Sequence, residues 1–169
     1  MPEQQTPYTL YFGLGSNLGD RLDNLRQAIA TLAPVIAVEK ISPIYETAPQ
    51  YVTEQPNFYN AVCRGSTSLS PVDTLQILKN VERQMGRSAG PRFGPRVIDL
   101  DILFYDNVVL ETPDLVVPHP HLHERTFVLV PLVDIAPEFI HPKLGVTVTD
   151  LLQRLGNYVG QIQKTDVQL

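Results

Sequence analysis

The sequence predicts an α+β fold, a ferredoxin-like sandwich in which helices pack on a mainly antiparallel sheet. Two segments carry apolar residues at helical spacing, several others show strand patterns, and their order is strand, helix, strand, strand, helix, strand. The 169 residues, of which 43% are hydrophobic, suffice for one domain with a substantial core. We therefore expect a single domain over residues 1–169, with the helices on one face of the sheet.

The chain begins with a strand followed by a helix. Residues 8–13 form an apolar run, and residues 13–19 (GLGSNLG) are interpreted as a tight strand-to-helix turn with a possible role near a ligand. A helix is predicted over 20–33, with Asp20 as its N-cap and Pro34 just beyond its end. Its buried face is an apolar stripe at helical spacing, formed by Leu22, Leu25, Ile29 and Leu32.

Two extended segments follow this helix. Residues 35–45 are rich in β-branched side chains and are broken by Pro43. Residues 57–64 alternate as a strand does. One face of that strand is predicted to carry Phe58, Asn60 and Val62, and the other Tyr59, Ala61 and Cys63. Both segments are expected to join the sheet.

A second helix is predicted between two clear boundary signals. Ser70 supplies an N-cap and Pro71 suits the first turn, while Gly86 is typical of a helix end. Its buried face is predicted to consist of Leu75, Leu78, Val81 and Met85.

The carboxyl-terminal half is predicted to add a strand, a hairpin partner and two helices. Residues 97–104 form the strand, and residues 108–111 are expected to pair with it. Residues 127–135 have a helical pattern that Pro131 is expected to interrupt early, and residues 149–155 form a short helix.

Composition excludes several classes of protein. The net charge of −5 argues against a general nucleic-acid binder. Cys63 is the only cysteine, so neither an internal disulfide nor a cysteine zinc site is possible. The start of the chain does not resemble a signal peptide, and no apolar run approaches the roughly 20 residues of a membrane helix. We expect a cytoplasmic protein, monomeric and without nucleic-acid or membrane partners.

The strand at 97–104 places two aspartates together. Because side chains alternate along a strand, Asp99 and Asp101 share a face about 7 Å apart. The opposite face is predicted to point into the core, with Ile98, Leu100, Ile102 and Phe104. Neighbouring carboxylates repel unless a cation binds them or one is protonated. Magnesium prefers one or two carboxylates with phosphates and water. A solvated strand face with two unrelated aspartates is the alternative.

The segment before this strand adds positive charge. Residues 88–95 form a short loop with glycine and proline that is expected to be mobile, and Arg87, Arg92 and Arg96 lie in or beside it. The planar guanidinium suits phosphate oxygens, and metal and guanidinium together neutralise charge in phosphoryl-type transfer. A solvated loop charge is the simpler interpretation of each arginine alone. The chain has no P-loop motif, so P-loop chemistry is excluded.

These motifs together resemble one enzyme family. RFGPRVIDLDIL at 92–103 is similar to the signature of the 6-hydroxymethyl-7,8-dihydropterin pyrophosphokinases, enzymes of folate synthesis. Other blocks similar to the family occur in its order, from about residue 8 to 155: GSNLG at 15–19, YET at 45–47, QPNFYN at 55–60, ERQMGR at 82–87, VPHP at 117–120, HERTF at 123–127 and PL at 131–132.

The resemblance implies a reaction and its cofactor. The hydroxymethyl oxygen of the pterin attacks the β-phosphorus of ATP, the pyrophosphoryl group moves to the pterin, and AMP leaves. The family uses two magnesium ions with ATP as co-substrate. Asp99 and Asp101 occupy the positions of their protein ligands.

The resemblance also assigns the other site residues. Arg87 and Arg96 fall at the family's catalytic arginines, which would stabilise charge in the transition state. The implied ATP contacts are Glu82, Arg92, Ile102, His119 and Arg125. The implied pterin contacts are Thr47, Phe58, Asn60 and Phe127. Aromatic faces and an amide that both donates and accepts suit a flat heterocycle. Without the resemblance, both phenylalanines would be interpreted as core residues.

Two departures from the family concern the loop after Arg87. Phe93 stands where the family often has tryptophan, and the loop is short and lacks a lysine that some members carry. Closure of this loop over ATP is where the protein is expected to differ most. The nearby His119, His121 and His123 alternate, but the flanking prolines favour an irregular loop over a histidine metal site.

Two other functions fit the residues. One is an ATP-dependent kinase of another small alcohol, and the other is a non-catalytic module that binds nucleotide or pterin. Release of AMP would favour the pyrophosphokinase, whereas ADP would favour the kinase. The chain ends soon after the matched region, so no second fused enzyme is expected.

Overall fold

The computed structural model describes residues 6–49, 54–86, 95–158 and 160–169, which form a six-stranded sheet, a small hairpin and four α-helices. The elements in chain order are β1 (Tyr8–Ser16), α1 (Arg21–Leu32), β2 (Ala37–Ile41), β3 (Tyr45–Thr47), β4 (Phe58–Thr67), α2 (Pro71–Gln84), β5 (Asp99–Tyr105), β6 (Leu110–Glu111), β7 (Val116–Val117), a short 3₁₀ helix (Leu122–Glu124), α3 (Thr126–Ile135), α4 (Val148–Arg154) and β8 (Ile162–Lys164).

Both long helices begin at the predicted caps. The Asp20 carboxylate accepts a hydrogen bond from the Asp23 backbone N–H at 3.0 Å, and the Ser70 hydroxyl accepts from the Asp73 N–H at 3.1 Å. Gly86 follows α2 with φ of +95°, a left-handed conformation that glycine adopts without steric cost. The starts of α1 and α2 are therefore set by their N-cap side chains, and the end of α2 is marked by the backbone conformation of Gly86.

The sheet has the order β5-β1-β4-β3-β8, and β2 pairs with the far half of β4. All described pairings are antiparallel. Since β2 and β3 both pair with β4 on either side of Pro43, they behave as one interrupted strand. The resulting order of elements is β-α-β-β-α-β, as in ferredoxin-like folds. The predicted fold class is confirmed.

Helices cover both faces of this sheet, not one face as the sequence suggested. On β1, Leu10, Phe12 and Leu14 pack with the buried sides of α1 and α2. Tyr11 points the opposite way, into a second core with α3 and α4. The sheet is apolar on both faces in its centre, and a helix layer is needed on each to exclude water.

An irregularity in β5 changes the predicted orientation of Phe104. Tyr11 pairs with Phe104 while Phe12 pairs with Ile102, so Leu103 is an extra residue in the strand. The alternation therefore shifts after Leu103. Phe104 faces α3 and α4, where its ring lies 4.6 Å from the ring of Phe139, and not the core that holds Ile102.

Three other features differ from expectation. β6 pairs with β7 in a separate two-stranded hairpin and not with β5. α3 continues through Pro131, which is buried within it. β8 adds to the free edge of β3 and was not predicted. None of the helices in the described part of the chain is long and apolar enough to cross a membrane.

Candidate active site

A cavity of about 350 Å³ opens on the sheet face that carries α3. It lies at the carboxyl end of β1. Because β4 and β5 both run antiparallel to β1, their first residues flank this end. The topology thus gathers side chains from the beginnings of two strands, which are 41 residues apart in the sequence (positions 58 and 99).

Two glycines of β1 form the floor between these strands. Gly13 pairs with Val62 on one side and Asp101 on the other, and Gly15 pairs with Asn60 and Asp99. A Cβ atom on Gly15 would lie 2.9 Å from the Asn60 Oδ1 atom. β1 extends to Ser16, so these glycines lie in a strand and not in the predicted turn. Because they have no side chains, the surface between β4 and β5 stays open to a ligand.

Two half-buried carboxylates form one wall of the cavity. Asp99 and Asp101 both line it, on the shared face that the strand alternation predicted. His119 is brought alongside because its backbone N–H donates to the Leu103 carbonyl at 3.0 Å. The loop that carries His119 therefore docks on β5 two residues beyond the aspartates.

Three basic side chains line the same end: Arg96, His119 and Arg125. The Arg125 Nε is buried and has no hydrogen-bond partner among the described residues, so it retains a donor. Burial and the neighbouring Arg125 charge lower the pKa of His119 to about 4. His119 Nδ1 accepts from the His121 backbone N–H at 3.1 Å, which places the proton of the neutral ring on Nε2.

The opposite wall combines aromatic rings with an amide and a hydroxyl. Phe58 and Asn60 of β4, Thr47 of β3 and Phe127 of α3 all line the cavity. Asn60 Nδ2 donates to the Thr47 hydroxyl oxygen at 2.6 Å. This bond fixes the amide with Oδ1 directed away from Thr47, as an acceptor.

A hydrogen bond also joins the two elements that carry Thr47 and Phe127. The Tyr45 hydroxyl of β3 donates to the Asp134 carboxylate of α3. Burial and this hydrogen bond raise the pKa of Tyr45, so the hydroxyl keeps its proton. The bond holds α3 against the edge of the sheet beside the cavity.

The cavity brings together nine of the thirteen residues predicted for the site: Thr47, Phe58, Asn60, Arg96, Asp99, Asp101, His119, Arg125 and Phe127. Glu82 and Ile102 do not line it. Ile102 is 3% exposed in the core with α1 and α2, because it alternates with the aspartates. Glu82 is buried on α2, where its carboxylate accepts from the Leu100 N–H at 3.4 Å. Arg87 and Arg92 lie outside the described residues, as does Phe93.

Asn17, which sequence reasoning did not assign, organises two edges of the site. Its Oδ1 accepts from the Arg96 backbone N–H at 2.7 Å, and its own N–H donates to the Arg96 carbonyl at 3.0 Å. Its Nδ2 donates to Gln55 Oε1 and to the Pro56 carbonyl, both at 3.0 Å. Its position within the GSNLG block was the available signal, but nothing in the sequence shows these partners.

The donor set of the cavity fits magnesium better than a transition metal. Two carboxylates on one wall can supply hard oxygen ligands, and substrate phosphates and water normally complete the shell. In the described part of the chain, no group of three His, Cys, Asp or Glu side chains could hold a metal ion.

Comparison with known proteins identifies the family. The model of the 7,8-dihydro-6-hydroxymethylpterin-pyrophosphokinase (HPPK) family matches residues 11–137. The chain belongs to the HPPK family. A relative in Aquifex aeolicus, 2-amino-4-hydroxy-6-hydroxymethyldihydropteridine pyrophosphokinase, is 45% identical over 79% of this chain and 84% of its own length. The Bacillus subtilis protein of the same name is 44% identical over 76% of this chain and 78% of its own.

Some HPPK relatives are much longer than this chain. Folic acid synthesis protein FOL1 of Dictyostelium discoideum is 45% identical over 88% of this chain, which spans only 22% of that relative. The two bacterial relatives are named pyrophosphokinases, and the Dictyostelium relative is named a folic acid synthesis protein. The family predicted from the motifs is thus confirmed.

Solved structures of HPPK-DHPS proteins share the fold of this chain. A Plasmodium falciparum HPPK-DHPS triple mutant with pteroate superposes with a TM-score of 0.74, at 16% identity, over 96% of this chain and 47% of that one. An HPPK-DHPS in complex with substrates gives 0.73 at the same identity, over 94% of this chain and 47% of that one. At this identity the likeness shows the fold alone.

Proposed function

We propose that this chain transfers the pyrophosphoryl group of ATP to 6-hydroxymethyl-7,8-dihydropterin and releases AMP. The observation that carries the proposal is the division of one cavity into two unlike walls. Carboxylates and basic groups suited to a polyphosphate line one wall, and aromatic, amide and hydroxyl groups suited to a flat heterocycle line the other. The acceptor and the phosphates can therefore meet over the glycine floor.

On the phosphate wall, Asp99 and Asp101 would hold magnesium, and we propose two ions as the resemblance implies. Bound magnesium would neutralise charge on the phosphate oxygens. Arg96 and Arg125 would donate to phosphate oxygens, and neutral His119 would donate from Nε2. Arg87 and Arg92, outside the described residues, are proposed to act there on the basis of the family motif alone. The ATP contacts of Glu82 and Ile102 likewise rest on the family motif alone, since neither residue lines the cavity.

On the acceptor wall, Phe58 and Phe127 would contact the faces of the pterin, while Asn60 and Thr47 bond its edge. In the transfer, the hydroxymethyl oxygen forms a bond to the β-phosphorus. The bond from that phosphorus to the oxygen shared with the α-phosphate breaks, AMP leaves with that oxygen, and the hydroxyl proton is released. Holding both reactants in line is the main contribution of the cavity residues.

Kinetics can distinguish a role of Arg96 in the transition state from a role in binding the acceptor. Arg96→Ala should lower kcat by about 100-fold or more while changing dihydropterin affinity little, if the guanidinium acts mainly in the transition state. Steady-state kinetics together with direct binding of the dihydropterin would measure both quantities. A loss confined to dihydropterin binding would instead place Arg96 on the acceptor side.

Product analysis tests the function itself. Incubation with ATP, the dihydropterin and magnesium should yield AMP. ADP would indicate a kinase, and binding of both ligands with no nucleotide product would indicate a non-catalytic module.

We also propose a monomeric, single-domain, cytoplasmic protein without nucleic-acid partners, although a longer relative in Arabidopsis thaliana is named a mitochondrial protein.

A further inference from the structure

Arg21, the first residue of α1, reaches across to the two strands that carry the acceptor wall. Its Nη1 lies 3.0 Å from the Glu46 carboxylate of β3 and donates to the Asn57 carbonyl, also at 3.0 Å, just before β4. Its guanidinium carbon lies 3.8 Å from the centre of the Tyr59 ring. The side chain is 27% exposed, so these contacts are partly shielded from water.

The position of these contacts in the strand register is specific. Glu46 pairs with Tyr59 across β3 and β4. This pair lies between two others, Thr47 with Phe58 and Tyr45 with Asn60. Because side chains alternate, Glu46 and Tyr59 face α1 while Thr47, Phe58 and Asn60 face the cavity.

We infer that Arg21 is a positioning residue for the pterin acceptor, an inference that rests on the proposed function. Arg21 contacts the Glu46–Tyr59 pair on the α1 face of the sheet. These contacts fix the spacing of β3 and β4, and therefore of the acceptor side chains on the cavity face. β3 has only three residues, so its ladders to β4 and to β8 are both short and few hydrogen bonds hold its register. The planar guanidinium can lie over a ring and donate hydrogen bonds at once, which a lysine ammonium cannot do as well.

Arg64 of β4, the strand that also carries Tyr59, provides a matched control. Its Nε lies 3.2 Å from the Glu39 carboxylate of β2, another ion pair between neighbouring strands. Arg64 is 33% exposed, close to the value for Arg21. Its ion pair lies toward the other end of β4, and Arg64 does not line the cavity. A purely structural role predicts similar effects at both arginines.

The experiment compares Arg21→Met, Arg21→Lys and Arg64→Met. Arg21→Met should raise both the KM and the calorimetric Kd for the dihydropterin about three- to tenfold, with kcat and the KM for ATP changed by less than about twofold. Arg21→Lys should recover part of the affinity. Arg64→Met should leave dihydropterin affinity near the wild-type value, even where its free energy of unfolding falls as much as that of Arg21→Met.

Unchanged dihydropterin affinity in Arg21→Met, or an equal loss in Arg64→Met, would overturn the inference. Failure of the proposed function has a different signature, since wild-type protein would then release no AMP. The calorimetric comparison needs no turnover and still decides the role of Arg21 in that case. A wild-type protein that does not bind the dihydropterin at all would overturn both.

Discussion

Asp99 and Asp101 are brought to one face by strand alternation, but their environment comes from other strands. Gly13 and Gly15 keep the neighbouring strand bare, so that a ligand can reach the carboxylates. The His119 loop covers the outer side of β5. The access of a ligand to the two carboxylates therefore depends on residues that lie more than 80 positions away in the sequence, such as Gly13.

Removing either carboxylate should abolish magnesium-dependent turnover. Asp99→Ala and Asp101→Ala should each lower kcat at saturating ATP by at least about 100-fold, because the proposed metal site would lose an oxygen ligand. The measurement is AMP release as a function of magnesium concentration. Asp114→Ala, an exposed aspartate outside the cavity, is the control. Near-normal activity in either site variant would refute the metal role.

His119 should make the stability of the protein depend on pH. Its pKa of about 4 in the folded protein lies below the value of about 6.5 in an unfolded chain. Between these values the unfolded state binds more protons, so the free energy of unfolding falls as pH decreases from about 6.5 to 4. Burial also lowers the pKa of His141, which acts in the same direction.

Urea denaturation of wild type and His119→Gln across this range isolates the effect. The wild type should lose of the order of 1–3 kcal/mol more than the variant on acidification. Parallel pH profiles would show that His119 titrates normally in the folded state. An NMR titration of its ring would then report a midpoint near 6.5.

At the level of elements, the end of β1 is the feature that makes a cavity possible. β1 is flanked by β4 and β5, and at Gly15 a side chain would collide with Asn60. Glycine normally weakens a strand interior, and its presence here is explained by the close approach of the Asn60 amide.

Gly15→Ala should weaken acceptor binding. The added Cβ would lie 2.9 Å from Asn60 Oδ1, so the Asn60 amide must shift, whereas its 3.6 Å distance to the Phe58 ring is an ordinary contact. We expect the KM for the dihydropterin to rise about tenfold or more, since small displacements of binding groups are costly. Gly13→Ala is the comparison, because its Cβ would meet Leu103 at an ordinary 3.9 Å and should affect the dihydropterin less. Equal KM values in both variants would contradict this explanation.

Elements with local signals could be predicted from the sequence, and those that depend on distant partners could not. α1 and α2 carry their own caps, and β4 carries a clear alternation, so all three were placed correctly. β8 is short and partly polar, and it becomes a strand only because β3 offers a free edge. The extra residue in β5 is visible only in its pairing with β1, which is why Phe104 was assigned to the wrong face.

The same distinction applies to the site. Asp99, Asp101 and Arg96 were singled out by the chemistry of the residues themselves, and the family resemblance then gave them their roles. The acceptor residues were named only by that resemblance, since Phe58 and Phe127 alone would pass for core. Asn17 and Arg21 act through contacts with segments about 25 to 80 residues away, and no local pattern reveals them. Two of the proposed arginines, Arg87 and Arg92, remain predictions from the sequence.

For the whole molecule, the two-faced sheet separates stability from chemistry. α1 and α2 close one face with a core of mainly aliphatic side chains, together with Phe12 and Tyr105. α3 and α4 close the other only in part, and the remaining gap beside Phe127 is the cavity. The sequence predicted helices on one face only, yet the cavity is enclosed by α3, which belongs to the second helix layer.

The most direct measurement is the identity and ratio of both products in a single reaction. With ATP, 6-hydroxymethyl-7,8-dihydropterin and magnesium, we predict AMP and a diphosphorylated pterin in equal amounts, identified by chromatography and mass spectrometry. Formation of ADP with a monophosphorylated pterin would contradict attack at the β-phosphorus. Absence of any pterin product from protein that binds both ligands would contradict catalysis altogether.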